Sequence, residues 1–364
     1  MSEPIAVYVH IPFCPSKCGY CDFNSYAMDG DIVGRTVDAI VTEIARSKHA
    51  DRPAKTIFFG GGTPTFLDAK DQIRVLEAVI RAHPPVANCE VTTEANPGTV
   101  DASKFRDLEA AGFNRLSIGA QSFDSAELRV LDRVHSPDEV IRAVSAARGA
   151  GFENLSLDLM FALPQQTMVR WKNNLEEAIR LQPDHLSLYC LTIEPATRFY
   201  KLQLKGQLQQ PGDEVQAAMY DETVSRAREA GFERYEISNF AKPGKQCAHN
   251  LCYWRGEEYV GYGPGAVGRV GRWRYTNMKH PDRYCEAVES GTELACDEER
   301  LDEAALRIER IMLGLRLAEG LDTSELDADA VDRLVQKGWL SSNGRVRLTD
   351  VGAHYCNQAI LELL

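Results

Sequence analysis

The chain has 364 residues and a formal net charge of −12, with 41 Lys/Arg against 53 Asp/Glu. That balance disfavours nucleic acid as the main partner, because phosphate binding is driven by clustered Lys and Arg, and no apolar run approaches the length of a membrane span. Hydrophobic residues at 44% and charged residues at 26% describe an ordinary globular protein of two or three domains.

The amino terminus, Met1-Ser2-Glu3-Pro4, lacks the basic segment and apolar stretch of a secretory signal, so a cytoplasmic location with reduced thiols is expected. Strands are predicted over 5–10, 56–59, 90–93, 115–118, 155–160 and 185–191, each short, rich in β-branched or aromatic residues and bounded by Gly, Pro or Asn. Between them the apolar spacing turns helical, as in the stripes Val37, Ile40, Val41, Ile44 and Ile73, Leu76, Val79, Ile80. The triplet Ala-Gly-Phe recurs at 111–113, 150–152 and 230–232, each time after a helical stretch and before a strand. There a glycine can close the helix in the left-handed conformation and the phenylalanine can pack at the entry to the sheet. Strict strand–helix alternation predicts an α/β fold with a parallel sheet, arranged as a partial (β/α) barrel of the TIM type.

Beyond about residue 240 the texture changes. Residues 247–275 are rich in Gly, Tyr, Trp and Arg and show no clean period. The tail holds helices over 301–317 and 328–337, a Ser342-Asn343-Gly344 turn, and a last helix capped by Thr349-Asp350, a pattern that resembles a winged helix. With seven Lys/Arg against eleven Asp/Glu the tail is a poor DNA reader. Three segments follow: a barrel core over 1–240, a connecting segment over 241–300, and a smaller α+β, winged-helix-like domain over 301–364.

Three of the ten cysteines crowd into Cys14-Pro-Ser-Lys-Cys18-Gly-Tyr-Cys21, directly after the first strand. In a reducing compartment such a trio points to metal. Three thiolates can wrap an iron–sulfur cluster, which usually takes four cysteines. A structural zinc site is the alternative, with His10 near enough in sequence to close a tetrahedron. After the second strand comes Gly60-Gly61-Gly62-Thr63-Pro64-Thr65, which lets backbone approach a ligand closely and lacks the Lys-Ser/Thr of a phosphate loop.

Taken together these motifs resemble the radical SAM superfamily, in which a CxxxCxxC loop leaves one iron of a 4Fe-4S cluster free to bind S-adenosylmethionine (SAM). Tyr8-Val-His-Ile-Pro-Phe-Cys14, Thr93-Glu94-Ala-Asn-Pro97, Gly119-Ala-Gln121-Ser-Phe123 and Asp158-Leu-Met-Phe-Ala-Leu-Pro164 also stand in order. They are similar to the coproporphyrinogen III oxidase-like group, which takes in HemN-type oxidases and HemW-type haem chaperones. The resemblance implies that Cys14, Cys18 and Cys21 hold the cluster and that Tyr8 and Tyr20 contact SAM. It further implies that Gly61, Gly62, Thr63 and Glu94 hold the methionine part of SAM, with Gln121, Arg133 and Asp158 completing the pocket.

Phe23 stands where HemN-type oxidases have a fourth cysteine, and little sequence precedes the first strand. The segment Cys247-Ala-His249-Asn250-Leu-Cys252-Tyr253-Trp254 contains HNxxYW, a HemW-type pattern. The resemblance therefore implies a chaperone that binds haem and delivers it to haem-accepting proteins, respiratory ones among them, with oxygen-independent coproporphyrinogen III oxidase as the alternative. His249 is the expected haem contact, and a buried histidine bonded to its own loop is the other reading of the same residue. Monomer and homodimer both stay open.

Overall fold

The computed structural model describes residues 3–364. Its centre is a parallel sheet built from β1 (Ile5–Ile11), β2 (Ala54–Gly61), β3 (Pro85–Ala95), β4 (Arg115–Gln121), β5 (Leu155–Phe161) and β6 (His185–Cys190), paired in that order. The crossovers between them contain the helices α1 (Asp31–Ala45), α2 (Ala69–Ala82), α3 (Ala102–Ala110), α4 (Ser125–Val130), α5 (Pro137–Gly149) and α6 (Met168–Arg180). Two further helices, α7 (Arg198–Leu204) and α8 (Asp213–Glu229), follow β6.

Parallel strands covered on both sides usually read as unbroken apolar runs. Here they alternate. Leu155, Leu157 and Leu159 of β5 join the main core, as do Leu116 and Ile118 of β4. The intervening Ser156, Asp158, Ser117 and Gly119 therefore share the opposite face, because successive side chains of a strand point to opposite sides. Matching of β4 with β5 and of β5 with β6 puts Ser117 beside Ser156 and Asp158 beside Ser187. One face of the sheet is thus apolar and helix-covered, and the inner face is polar. The site is built on that inner face.

The three Ala-Gly-Phe triplets behave as their chemistry predicts. Gly112, Gly151 and Gly231 close their helices at φ of 108°, 106° and 82°, and Phe113, Phe152 and Phe232 are buried. Phe113 meets Phe59 edge-on at 5.1 Å, and Phe152 meets Phe105 at 6.0 Å.

The sheet is larger than the sequence suggests. Continuing past α8 are β7 (Glu233–Arg234), β8 (Asn239–Ala241), the short α9 (Ala248–Trp254), β9 (Tyr259–Tyr262), β10 (Val267–Val270), β11 (Trp273–Asn277), α10 (Pro281–Ser290) and β12 (Ala295–Arg300). Strand β9 lies parallel to β1, with Tyr8 opposite Gly261, and becomes a seventh parallel strand. The meander β10–β12 extends that edge, while β8 and β7 run antiparallel beyond β6. The twelve strands form an open sheet, a partial barrel that does not close. Residues 241–300 are accordingly more than the expected connector, since they add four strands to the main sheet and bury Val260, Tyr284 and Val288 in its core. A Gly-Tyr-rich strand of four residues carries too little apolar pattern to be read as one.

A second core gathers Leu315, Val331, Leu334, Val346 and Ile360. It lies among α11 (Glu303–Gly314), α12 (Ala328–Gln336), α14 (Cys356–Leu363) and a small sheet of β13 (Leu321–Asp322), β15 (Arg345–Leu348) and β14 (Leu340–Ser342). Gly344 turns the β14–β15 hairpin at φ 78°, and the Thr349 hydroxyl accepts from Gly352 N at 2.8 Å to cap α13 (Asp350–His354). This is the winged-helix-like unit expected from the tail.

Truncating Phe152 tests the packing of the repeated triplet. Phe152→Ala is expected to cost about 3–5 kcal/mol, the range for a buried phenylalanine, and to show as a lower midpoint at unchanged slope in urea unfolding.

Candidate functional site

Thirteen residues were singled out by sequence, and eleven of them line one cavity of about 350 Å3 at the carboxyl ends of the parallel strands: Cys14, Cys18, Cys21, Tyr20, Gly61, Gly62, Thr63, Glu94, Gln121, Arg133 and Asp158. Strand carboxyl ends are where ligand sites of α/β folds gather. Tyr8 and His249 lie elsewhere.

The cysteine loop leaves β1 and is tied down along its length. Tyr26 N donates to Pro12 O at 2.7 Å and Cys14 N to Tyr26 O at 3.0 Å. The Lys17 ammonium donates to the carbonyls of Phe23 and Ser25 at 2.6 and 3.1 Å. Phe199, at the start of α7, donates its N–H to Gly19 O at 2.9 Å. A side chain on Gly19 would run into Asp132, Arg198 and the buried Phe199 ring, so these would have to shift to admit one.

The glycine loop meets the same segment from the other side. Gly62 N donates to Ile11 O at 2.8 Å and Thr63 N to Phe13 O at 2.7 Å. A Cβ on Gly62 would lie 2.6 Å from Phe13 O, and one on Gly61, at φ 110°, would overlap the His10 ring. Two backbones are pressed together here. Only glycine permits it.

His10 decides between the two metal readings. Its Nε2 is 2.8 Å from Asn24 O, which can only accept, so Nε2 carries the proton and Nδ1 accepts from the Tyr8 hydroxyl at 3.0 Å. Burial lowers its pKa to about 4. Both nitrogens are engaged, and His10 has no free lone pair with which to complete a zinc tetrahedron. Among the described residues no group of three His, Cys, Asp or Glu side chains converges as a single ion requires. A cluster makes no such demand, since each thiolate binds its own iron. Three thiols on one loop over a roomy cavity suit a cluster and do not suit zinc. Thr63 Oγ1 already donates to Cys14 Sγ at 3.4 Å, and burial raises the Cys14 pKa, so a metal's charge is what such a thiolate needs.

Deeper in the cavity sit two half-buried carboxyl groups. Glu94 accepts from Gly61 N at 3.2 Å. Burial, and then the charge of Asp158, push its pKa up to about 8. Asp158 accepts from Ser117 Oγ at 2.9 and 3.0 Å, yet burial still raises it. Opposite in charge, the half-buried Arg133 donates to Gly119 O at 2.9 Å and approaches Cys18 Sγ at 3.8 Å, while its buried Nε has no partner. Gln121 is held at φ 63°, beyond an irregularity in the β4–β5 pairing. A non-glycine residue held left-handed stores strain, and such residues concentrate at functional sites. Together the cavity offers a carboxylate pair for a cation or for hydroxyls, and a guanidinium for a carboxylate.

Tyr8 departs from expectation. Its hydroxyl is spent on His10, and the ring lies beside Phe58 and His249 at 6.3 Å, outside the cluster cavity. His249 departs further. It is 1% exposed, with Nδ1 2.8 Å from Thr56 Oγ1 and Nε2 2.9 Å from the Tyr253 hydroxyl. Burial lowers its pKa to about 3. The imidazole is a neutral packing group, and no nitrogen is presented to a haem iron. The second of the two sequence readings describes it better, with one of its partners 193 residues away.

Met160, Tyr189, Cys190 and Val134 also line the cavity and were missed. Period-two alternation from Asp158 could have found Met160. Glu90 was missed as well. Its carboxylate accepts from Ala248 N and His249 N at 3.0 Å each and so fixes the start of α9. On β3 it stands two and four residues before Thr92 and Glu94, on the same face.

Comparison with known proteins gives this geometry its setting. Residues 8–178 match the Radical SAM superfamily. The haem chaperone HemW of Escherichia coli is 38% identical over 99% of this chain and 98% of its own. That of Bacillus subtilis is 39% identical over 87% of this chain and 84% of its own. The chain belongs to the HemW family of the radical SAM superfamily. Another relative, radical S-adenosyl methionine domain-containing protein 1, mitochondrial, of Danio rerio, shares 36% identity over 87% of this chain and 73% of that one. Among solved structures, coproporphyrinogen III oxidase (HemN) from Escherichia coli aligns with a TM-score of 0.85 over 99% of this chain and 90% of that one. At 21% identity this likeness concerns the fold. Membership of the HemW family implies a 4Fe-4S cluster and SAM. Among the described residues no helix is long and apolar enough to cross a membrane.

Two measurements check this electrostatic description. Because the folded Glu94 pKa, about 8, lies above that of an ordinary carboxylate, its contribution to stability is present at low pH and is lost as pH rises through about 8. In the cofactor-free protein Glu94→Gln should therefore flatten the fall in melting temperature between pH 6 and 9, and parallel curves for variant and wild type would refute the assignment. His249→Ala leaves a cavity and two unpaired hydroxyls, and should destabilise the protein by about 2–4 kcal/mol in urea unfolding without changing iron content.

Proposed function

We propose that this chain is a radical SAM haem chaperone, which holds a 4Fe-4S cluster on Cys14, Cys18 and Cys21, binds SAM in the adjoining cavity, and carries haem to acceptor proteins. The observation that supports it is the convergence of three loop cysteines, the glycine loop, Glu94, Asp158 and Arg133 on one cavity, in a chain alike over its whole length to HemW chaperones. Bound there, the cluster and SAM would supply one-electron chemistry.

The chain's own residues would do the binding and orienting. Glu94 and the backbone at Gly61 and Gly62 suit the ammonium of the methionine part, and its arrival would let Glu94 ionise. Arg133, with Nε free, suits the carboxylate. Asp158, fixed by Ser117, suits ribose hydroxyls. Tyr20 and Met160 cover the ligand and exclude water. The oxidase alternative retains the fold likeness alone. Phe23 is 66% exposed at the rim of the cavity, where a fourth cysteine would otherwise stand.

Anaerobic reconstitution followed by haem titration tests the proposal. The expected result is about four iron atoms per chain, lost in Cys14→Ala, and a saturable Soret shift at about one haem per chain. Zinc without iron, or conversion of coproporphyrinogen III by the reconstituted protein, would overturn it.

A further inference from the structure

A second cavity, of about 480 Å3, lies beside the first on the inner face of the sheet. This is within the range of small-molecule and cofactor sites, about 300–1,000 Å3. His10 forms part of its lining, and the same ring presses on Gly61 of the cluster cavity. The two cavities therefore share a wall. Of the residues read as SAM contacts, Tyr8 alone lines this second space, and its hydroxyl is bonded to His10.

Its lining combines two chemistries. Tyr253 and Tyr259 present aromatic rings, packed edge to face at 4.6 Å, and Met312 and Leu313 of α11 add apolar surface. Arg269 and Arg274 add two guanidinium groups. Both share one wall carboxylate, Glu309, to which Arg269 Nη1 comes within 3.8 Å and Arg274 Nη2 closer. The other acid in the lining, Glu257, is already paired with Lys55. Glu299 approaches Arg274 at 3.3 Å from an exposed position. Arg274 Nε is buried and has no partner. A buried guanidinium nitrogen without an acceptor is costly in the free protein, and a ligand carboxylate would satisfy it.

On the reading of this chain as a haem carrier, we propose that haem occupies this second cavity, with its macrocycle against the tyrosine rings and α11 and its propionates on Arg269 and Arg274. The HNxxYW motif then takes a different role from the one its histidine suggests. His249 holds the Tyr253 hydroxyl at 2.9 Å and is itself held by Thr56 at 2.8 Å, so it is a positioning residue for a ring that touches haem.

Haem and its dimethyl ester, which lacks both carboxylates, distinguish the outcomes when titrated into the reconstituted protein. Wild type should bind the ester about tenfold or more weaker than haem, the effect of losing charge-assisted hydrogen bonds. Arg274→Gln combined with Glu309→Gln removes one charge of each sign, and this variant should bind haem about tenfold weaker and lose most of its preference over the ester, with iron content unchanged. Val267→Trp, which fills the cavity from β10, should weaken both ligands alike. If wild type binds haem saturably while both variants keep its affinity and preference, haem lies elsewhere and the carrier reading stands. If wild type binds no haem, the carrier reading falls and this site with it.

Discussion

The contact between the backbone leaving β1 and the backbone leaving β2 governs the rest of the site. Gly62 and Thr63 donate to the carbonyls of Ile11 and Phe13, and Gly61 lies flat against His10. No side chain fits between them. Through this contact the cysteine loop is fixed against the second strand, and the N–H of Gly61 is turned toward Glu94. It also makes His10 a partition, with the cluster cavity on one side and the tyrosine-lined cavity on the other. A single methyl group at position 61 would disturb all three arrangements.

Charge on the inner face follows from the alternation of the strands. Leucines at 155, 157 and 159 sit in the core, so Asp158 has to face inward, where its charge is felt by Glu94. Burial raises both pKa values, and the charge of Asp158 raises that of Glu94 further. Ser117 and the N–H of Gly61 offset part of this cost without adding charge. The guanidinium of buried Arg115 offsets a further part, yet both pKa values stay raised. An ammonium group between the glycine loop and these acids would balance them, and Arg133 would answer the carboxylate of the same amino acid. The site is thus electrostatically incomplete in the sense that its ligand would complete it.

How much of this was legible in the sequence depends on the range of the interactions concerned. The six central strands and the three Ala-Gly-Phe helix ends are local patterns, and they stand where they were read. The cysteine spacing and the glycine loop are local too, and both reach the cavity. Strand β9 escaped because Tyr259-Val-Gly-Tyr262 has no apolar period, and its place next to β1 depends on residues some 250 positions earlier. His249 and Tyr8 were misplaced for a related reason. A motif names residue types, but the partners that use up their polar atoms, Thr56 for one and His10 for the other, are chosen by the fold. Zinc could not be excluded by counting ligands, whereas one carbonyl, Asn24 O, settles the state of His10.

The tail gains a purpose from the same geometry. Its shape resembles a winged helix, yet its charge is acidic, and several contacts tie it to the rest of the chain. Leu317, three residues beyond the end of α11, bridges to Glu236. Ile237 packs against the second core. Asp350 pairs with Arg228 and Arg234 at 3.1 Å, and Glu319 with Arg255 at 3.0 Å. Exposed pairs of this kind contribute about 0–1 kcal/mol each, so they fix orientation more than they supply stability. What that orientation achieves is the placement of α11, whose Met312, Leu313 and Glu309 close the second cavity. The tail therefore meets the sheet through α11 at this cavity, while its acidic surface is the opposite of what reading DNA requires.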